Sequence, residues 1–464
     1  DYEVGNLTTM WVTGSTLGQG VPANVTVSTT NPLRITQDRT VTGVLTVLAD
    51  KQVQASAAVN VKGTGAVIGG ILSVTGASAF DVDGDLAANT GSSIVLSSIA
   101  GGDLKVGGDL TVNGTLTKNE RAVFMDGTGA QTISGSGTLL FDYLLIDPGS
   151  NTTLSSAVEL DNDLTVSGTL ATGGNLTIQS DAQIIGNSSS NITGDVVFQR
   201  ELTGSAGWRM LASPDAAATY DELLGNLWIQ GITGGDVTNG TANVYTWIGS
   251  DFTAVSNMSN AIGAGTGLIV YVYQDDDYST TPDAGSFPKT LDITGGENTS
   301  SAKPSLTSGA DAWTLAGNPF AAALDSDNLF ADNTAMNDAV YVWDPAANGG
   351  AGDYISWNGG GGTLAGGLIS PFQGFWVQND NTGNAPSLSI DVADKSTGAT
   401  FYKSSPVPVL HLRAHMGDLS NDLFFSFTQD GLTGKDSRDA FHLVPLNTDA
   451  GHIRQQHELP RRQH

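Results

Sequence analysis

Few side chains in this 464-residue chain can carry a charge, a proton or a metal, and most of those that can are aspartates, which supply 40 of the 47 acidic residues. Asp81, Asp83 and Asp85 alternate in the string DVDGD. Alternate carboxylates on an extended segment lie on one side, and the Gly turn lets them converge on a hard cation such as calcium. Asp275 with Asp277, and Asp325 with Asp327, repeat the spacing. These seven are the calcium candidates, and no other cofactor is indicated. The twelve-residue helix–loop–helix pattern does not follow any of them, so each also reads as a corner or a solvated loop. Other chemistries lack parts. All six His lie from His411 onward without HExxH spacing, Cys is absent, and no GxSxG elbow occurs. GAGTG at 263–267 enters a strand-like run and lacks a following Lys, so it is no phosphate loop. The expectation is a protein that is not an enzyme.

The elements that would position these residues are strands. Leu104, Leu110 and Leu116 are six apart, as are Leu164, Leu170 and Leu176, in the matching strings GGDLTVNGTL and DNDLTVSGTL. The same phase from Ile68 to Leu176 is apolar at 14 of 19 positions, where 39% hydrophobic content gives about seven. A second apolar residue two later, then Gly or Asn as at Asn113-Gly114, describes two inward side chains and a corner. Three such steps close a coil of about 18 residues, and Gly84-Asp85-Leu86 returns as Gly102-Asp103-Leu104 at that interval. The reading is a parallel β-solenoid over 46–199, with a series of ordinary sandwich hairpins as the alternative. Asp83 to Asp85 then falls on a corner.

Near Arg200 the column ends, and seven of the eight Trp lie beyond it. Trp208 to Pro214 corresponds to Trp313 to Pro319, Val244 to Trp247 to Val340 to Trp343, and Gly267 to Val270 to Gly374 to Val377. The landmarks keep their order, so this is an internal duplication. Short Val, Tyr, Trp and Ile runs divided by Gly, Asn and Asp predict two antiparallel β-sandwich-like units, 200–304 and 305–402, with short helices at 219–227 and 321–330. The Trp residues serve as core, or, at Trp357 and Trp376, as a sugar-stacking platform. Residues 403–451 read as a linker and an incomplete C-terminal β unit, and 452–464 as a basic tail, either non-native sequence or an unpaired end. The whole is all-β.

A net charge of −28 repels nucleic acid and anionic membrane, and no apolar run reaches the length of a membrane helix. Asp1 follows no leader-like segment, as in a processed chain. The solenoid strings, GWRMLASP with TYDELL, VYVWDP, ISPFQGFWVQ and the LHLRA, LFFSF and DAFHLVPL segment resemble large secreted surface proteins of Bacteroidota-type bacteria that use the type IX route. That resemblance implies an exported, cell-surface location and carries over no catalytic residue. The expected function is that of a structural stalk or self-assembling fibre subunit, with adhesion as an added role. A glycan-binding module is the alternative, with surface glycans as partner. The segment 1–45 is expected to cap the solenoid or assemble through Val25, Val27, Val41 and Val47. Leu423, Phe425 and Phe427 of the incomplete unit are expected to take a strand from a second copy, which makes end-to-end homo-oligomers.

Overall fold

The computed structural model describes residues 2–4, 21–249, 251–274, 287–308, 312–347, 352–380 and 388–398, and the backbone of strands 409–416 and 419–426. The chain divides into Asp1–Phe198 and Gln199–His464.

The first unit is a parallel β-solenoid with three faces. One face is a sheet of ten strands running from Tyr2–Val4 through Val25–Val27, Val44–Val47 and onward to Ile192–Thr193. A second holds eight strands, Arg39–Val41 to Gln183–Ile184. The third comes in two segments, Leu33–Ile35 to Thr115–Thr117 and then Leu140–Phe141, Val158–Leu160, Leu176–Ile178 and Val196–Leu202. Strands of the pattern buried, half-buried, buried turn every second side chain inward. Stacking in register then builds columns. Val25, Leu45, Ala66, Leu86, Leu110, Ile133 and Leu154 stand on one another on the first face. Val59, Phe80, Leu104, Val123, Leu144, Leu164 and Ile184 do so on the second. All fourteen are buried, and each such large side chain contributes roughly 1.5–3 kcal/mol.

The six-residue step is the passage from one face to the next: Leu104, Leu110 and the Leu116 strand lie on successive faces. The coil itself is longer and less regular than 18 residues. It spans 18 between Thr152 and Leu170 but 24 between Leu86 and Leu110, because corners take extra residues. The Leu86 and Leu104 strings therefore sit on different faces, Leu104 stacking on Phe80. Where a corner grows, the phase slips by one: Val123 and Leu139 are buried while Ala122 and Leu140 are half-buried. The solenoid also starts earlier than residue 46. Val25–Val27, Leu33–Ile35 and Arg39–Val41 already form a coil, and Val25, Val27, Val41 and Val47 are buried inside it rather than offered to a second copy.

The corners show why Asp and Asn outnumber Glu. Backbone amides of one coil donate to the short side chain of the coil before: Val44 N to Asn24 Oδ1 at 2.9 Å, Ala58 N to Asp38 at 3.1 Å, Asp109 N to Asp85 at 2.9 Å, Ala122 N to Asp103 at 3.0 Å, Thr132 N to Asp109 at 2.7 Å and Ser136 N to Asn113 at 3.0 Å. An arm of one methylene reaches the next coil without displacing it. Crowding dictates some corner glycines too. At Gly135 (φ 142) a Cβ would lie 1.9 Å from the Val112 carbonyl oxygen.

The second unit begins within Val196–Leu202 and contains two antiparallel sheets of four strands with one topology. The order is first, fourth, second, third: Gly207–Leu211, Leu268–Val272, Val244–Ile248 and Asp251–Ala254 in one copy, and Trp313–Gly317, Gly374–Gln378, Val340–Asp344 and Asp353–Trp357 in the other. The copies share a core between their sheets, and the second copy also keeps one of its own around Phe320, Leu329, Val342 and Phe375. Met210 and Ile269 pack with Leu315, Tyr341, Trp343 and Trp376, flanked by Trp208, Trp247, Phe252 and Trp313. Leu211 bridges Gln373, and the equivalent residues with copies exchanged, Ala316 and Thr266, bridge likewise. The sheets are thus related by an approximate two-fold. Each copy carries a short helix after its first strand. α1 (Tyr220–Leu224) is closed by a Thr219–Glu222 capping box, and α2 (Ser326–Asp332) by the Asp325 side chain. Val409–Met416 and Leu419–Ser426 pair as an antiparallel hairpin.

Candidate functional site

The first calcium candidate is already paired. Asp81 and Asp83 face Lys62, whose Nζ donates to Asp81 Oδ2 at 3.1 Å and Asp83 Oδ1 at 2.8 Å. Burial pushes the Lys62 pKa down, but the hydrogen bonds and charges of the two carboxylates outweigh it and raise it. Asp85 turns away to accept the Asp109 amide of the next coil. The DVDGD string is therefore a corner, and its three carboxylates do not converge on one point. Asp275 and Asp277 lie outside the described residues. Asp325 caps α2, accepting from Asp327 N at 2.9 Å, and Asp327 accepts from Trp357 Nε1 at 2.7 Å.

Sequence spacing missed the cluster that does form. Asp332 at the end of α2 meets Asp391 and Asp394 of the turn Val392–Asp394, one carboxylate oxygen from each lying within 4.8 Å of the others. Asp394 is 1% exposed. Its Oδ2 accepts the Asp391 amide at 2.7 Å, while Asp391 accepts from the Ser301 hydroxyl and from Ser389 Oγ at 3.2 Å. Burial above all, then the charges of Asp332, Asp391 and Asp325 against one lowering backbone hydrogen bond, pushes Asp394 up to about 6. Oxygen-only ligands at this spacing suit a proton or a hard cation. The contributing residues are about 60 apart in sequence, a separation that no local motif reports.

A second unforeseen group is the pair Glu297 and Lys395, each side chain 1% exposed, with Nζ 3.0 and 3.1 Å from the two carboxylate oxygens. The Ala321 amide donates to Oε1 at 2.5 Å. Burial pushes the acid up and the amine down, and their mutual attraction opposes both. The pair fastens the segment between the copies to the strand Lys395–Ser396, which lies against Ala323–Asp325.

The glycan platform is not built. Trp376 is buried and edge-packed on Trp247 at 5.1 Å and Trp313 at 6.4 Å. Trp357 is half-buried, packed on the core of α2 and tied to Asp327. Of the assembly residues, Phe427 lies outside the described residues, and Leu423 and Phe425 belong to the strand Leu419–Ser426, which pairs with Val409–Met416. No helix among the described residues is long and apolar enough to cross a membrane.

Residues 111–408 match a family described as a domain of unknown function (DUF8693), and the chain belongs to it. The match takes in the later solenoid coils and both duplicated copies. No curated protein and no solved structure matches the chain.

Proposed function

We propose that the chain is a non-enzymatic extracellular structural protein, a cell-surface stalk or a fibre subunit that assembles end to end. One observation carries the reading: an unbroken ladder of ten parallel strands, with apolar columns buried through seven successive levels from Val25 to Leu154. At about 4.8 Å per strand it makes a rod of roughly 43 Å, a shape suited to spanning distance. Several acids along it, Asp38, Asp81, Asp85, Asp109 and Asp142 among them, are spent on corners and on Lys62 and Lys118. At one end the strands Leu33–Ile35 and Arg39–Val41 are the last described in their sheets, and edges of that kind accept further strands. Export by the type IX route rests on the sequence resemblance alone. Calcium is the cation we assign to the acidic surface, because −28 charges repel one another and bound cations relieve them.

Electron microscopy of the isolated chain, with sedimentation across a concentration series, tests the assembly. Fibres or end-to-end oligomers that grow with concentration are expected, and strictly monomeric particles would sink the fibre role. Cleavage of a polysaccharide by the purified chain would overturn the non-enzymatic reading. Saturable binding on a glycan array, lost in Trp357→Ala, would favour a glycan-binding module in its place.

A further inference from the structure

The third face of the solenoid is interrupted once. Its first five strands end at Thr115–Thr117, and the next sheet starts at Leu140–Phe141. The other two faces run straight through this level, with Leu110 on Ile133 and Leu104 on Val123. The inward residue of the last strand, Leu116, is only half-buried, whereas its predecessor Ile94 is fully buried. The backbone leaves the strand through Asn119 and Glu120, both left-handed at φ 50 and 58, a costly conformation for two successive residues with side chains.

Polar contacts take over where the ladder stops. Asn119 Nδ2 reaches back one coil to the Leu96 carbonyl at 2.7 Å. Lys118 Nζ reaches forward to Asp142 Oδ1 at 2.8 Å and, one coil further, to Asp161. Asp142, itself buried, accepts the Glu120 amide on Oδ2 at 2.6 Å and Asn162 Nδ2 on Oδ1 at 3.3 Å. One ammonium thus ties three levels of the rod. The family match begins at residue 111, at the level of this break.

We propose that the break between Thr117 and Leu140 is a joint in the solenoid, clasped by Lys118, at which the earlier and later coils part before either set unravels. A rod with continuous ladders on all faces shares any load among equivalent levels. Here one face has exchanged directional backbone bonds for a charge clasp, and the strained Asn119-Glu120 pair relaxes when it opens. The proposal does not depend on assembly or on location.

Hydrogen exchange of the full chain, read by peptide, tests it. Lys118→Met keeps the aliphatic stem but leaves Asp142 buried without its counter-charge. Peptides covering 113–120 and 138–143 should then exchange roughly tenfold faster, while those covering 66–88 keep the wild-type rate. Asp161→Asn removes the more exposed partner and should give a smaller increase in the same peptides, a result that stands even if Lys118→Met does not fold. Exchange rising evenly along the solenoid in either variant, or unchanged between 113 and 143, would overturn the joint.

Discussion

Leu164 and Trp376 are both buried, but in different company. Leu164 touches its counterparts one coil back and one coil on, Leu144 and Ile184, all within about 40 residues of sequence. Trp376 packs on Trp247 of the other copy, more than 100 residues away. The solenoid is held by many equivalent nearest-neighbour contacts, so its stability is close to a sum over coils. The paired sheets share one aromatic core on their facing sides, while the second copy's sheet covers its other side with its own Phe320, Leu329 and Ile369. The same acidic, glycine-rich composition therefore supports a graded structure in one region and, in the other, two sheets coupled through long-range contacts.

The largest effects test that contrast directly. Leu164→Asp places an unpaired carboxylate in a column and should cost several kcal/mol. The damage should stay near Leu144 and Ile184, with the coils around Leu45 still protected in hydrogen exchange. Trp376→Ala should cost ~3–5 kcal/mol and release the sheets of both copies together. An unchanged melting curve for Leu164→Asp would show that the inward register is wrong. Protection that persists in Val244–Ile248 after Trp376→Ala would show that the copies are independent.

Ion pairs sharpen the same comparison. Removing one partner of the buried Glu297–Lys395 pair, as in Lys395→Met, should cost ~3–5 kcal/mol, because the remaining carboxylate is stranded. The double variant Glu297→Gln, Lys395→Met should recover most of that loss, which thermal melting of the four proteins would read. In the solenoid, Lys62→Ala exposes two solvated carboxylates and should change stability by less than about 1 kcal/mol. Lys118 resembles Lys62 in sequence, since each is an isolated lysine in a polar corner. Its partner Asp142 is buried, however, so Lys118→Ala should cost more stability than Lys62→Ala, a difference that thermal melting would read.

What the sequence disclosed follows from the range of each interaction. The six-residue step was legible because strand, corner and strand are local, and the duplication because its landmarks keep their order. Coil length was not, since corner insertions such as that between Leu86 and Leu110 alter the period without disturbing the inward residues. The solenoid's earlier strands, Tyr2–Val4 and Val25–Val27 among them, were hidden because the six-residue column is continuous only from Ile68. The sharing of a core between copies was also hidden: Trp313 and Trp376 look alike whether their neighbours come from one copy or two. Asp81, Asp83 and Asp85 had the spacing of a cation loop, but Lys62 comes from the previous coil, and only the stacking reveals it.

An effect of similar small size is a pH dependence that Asp394 contributes in the second unit. Asp394 is raised from the ordinary aspartate range to about 6, so the folded state holds its proton more tightly than the unfolded chain does. Its contribution is then most favourable to folding below the ordinary aspartate pKa of 3.8 and is lost as pH rises through about 6. Going from about pH 7 down to about pH 5 should stabilise this unit by about 1 kcal/mol, and Asp394→Asn should flatten that slope. A slope unchanged in Asp394→Asn would assign the dependence to other carboxylates. Calcium offers a discriminating second axis. A cation held by Asp332, Asp391 and Asp394 replaces the proton, so it should raise the melting temperature near neutral pH and abolish the gain on acidification. Diffuse screening of the −28 charges would instead act equally in calcium and magnesium at matched ionic strength, and would leave the Asp394 slope in place. Equal melting curves in the two cations would therefore remove calcium from the account while leaving the proton-linked term intact.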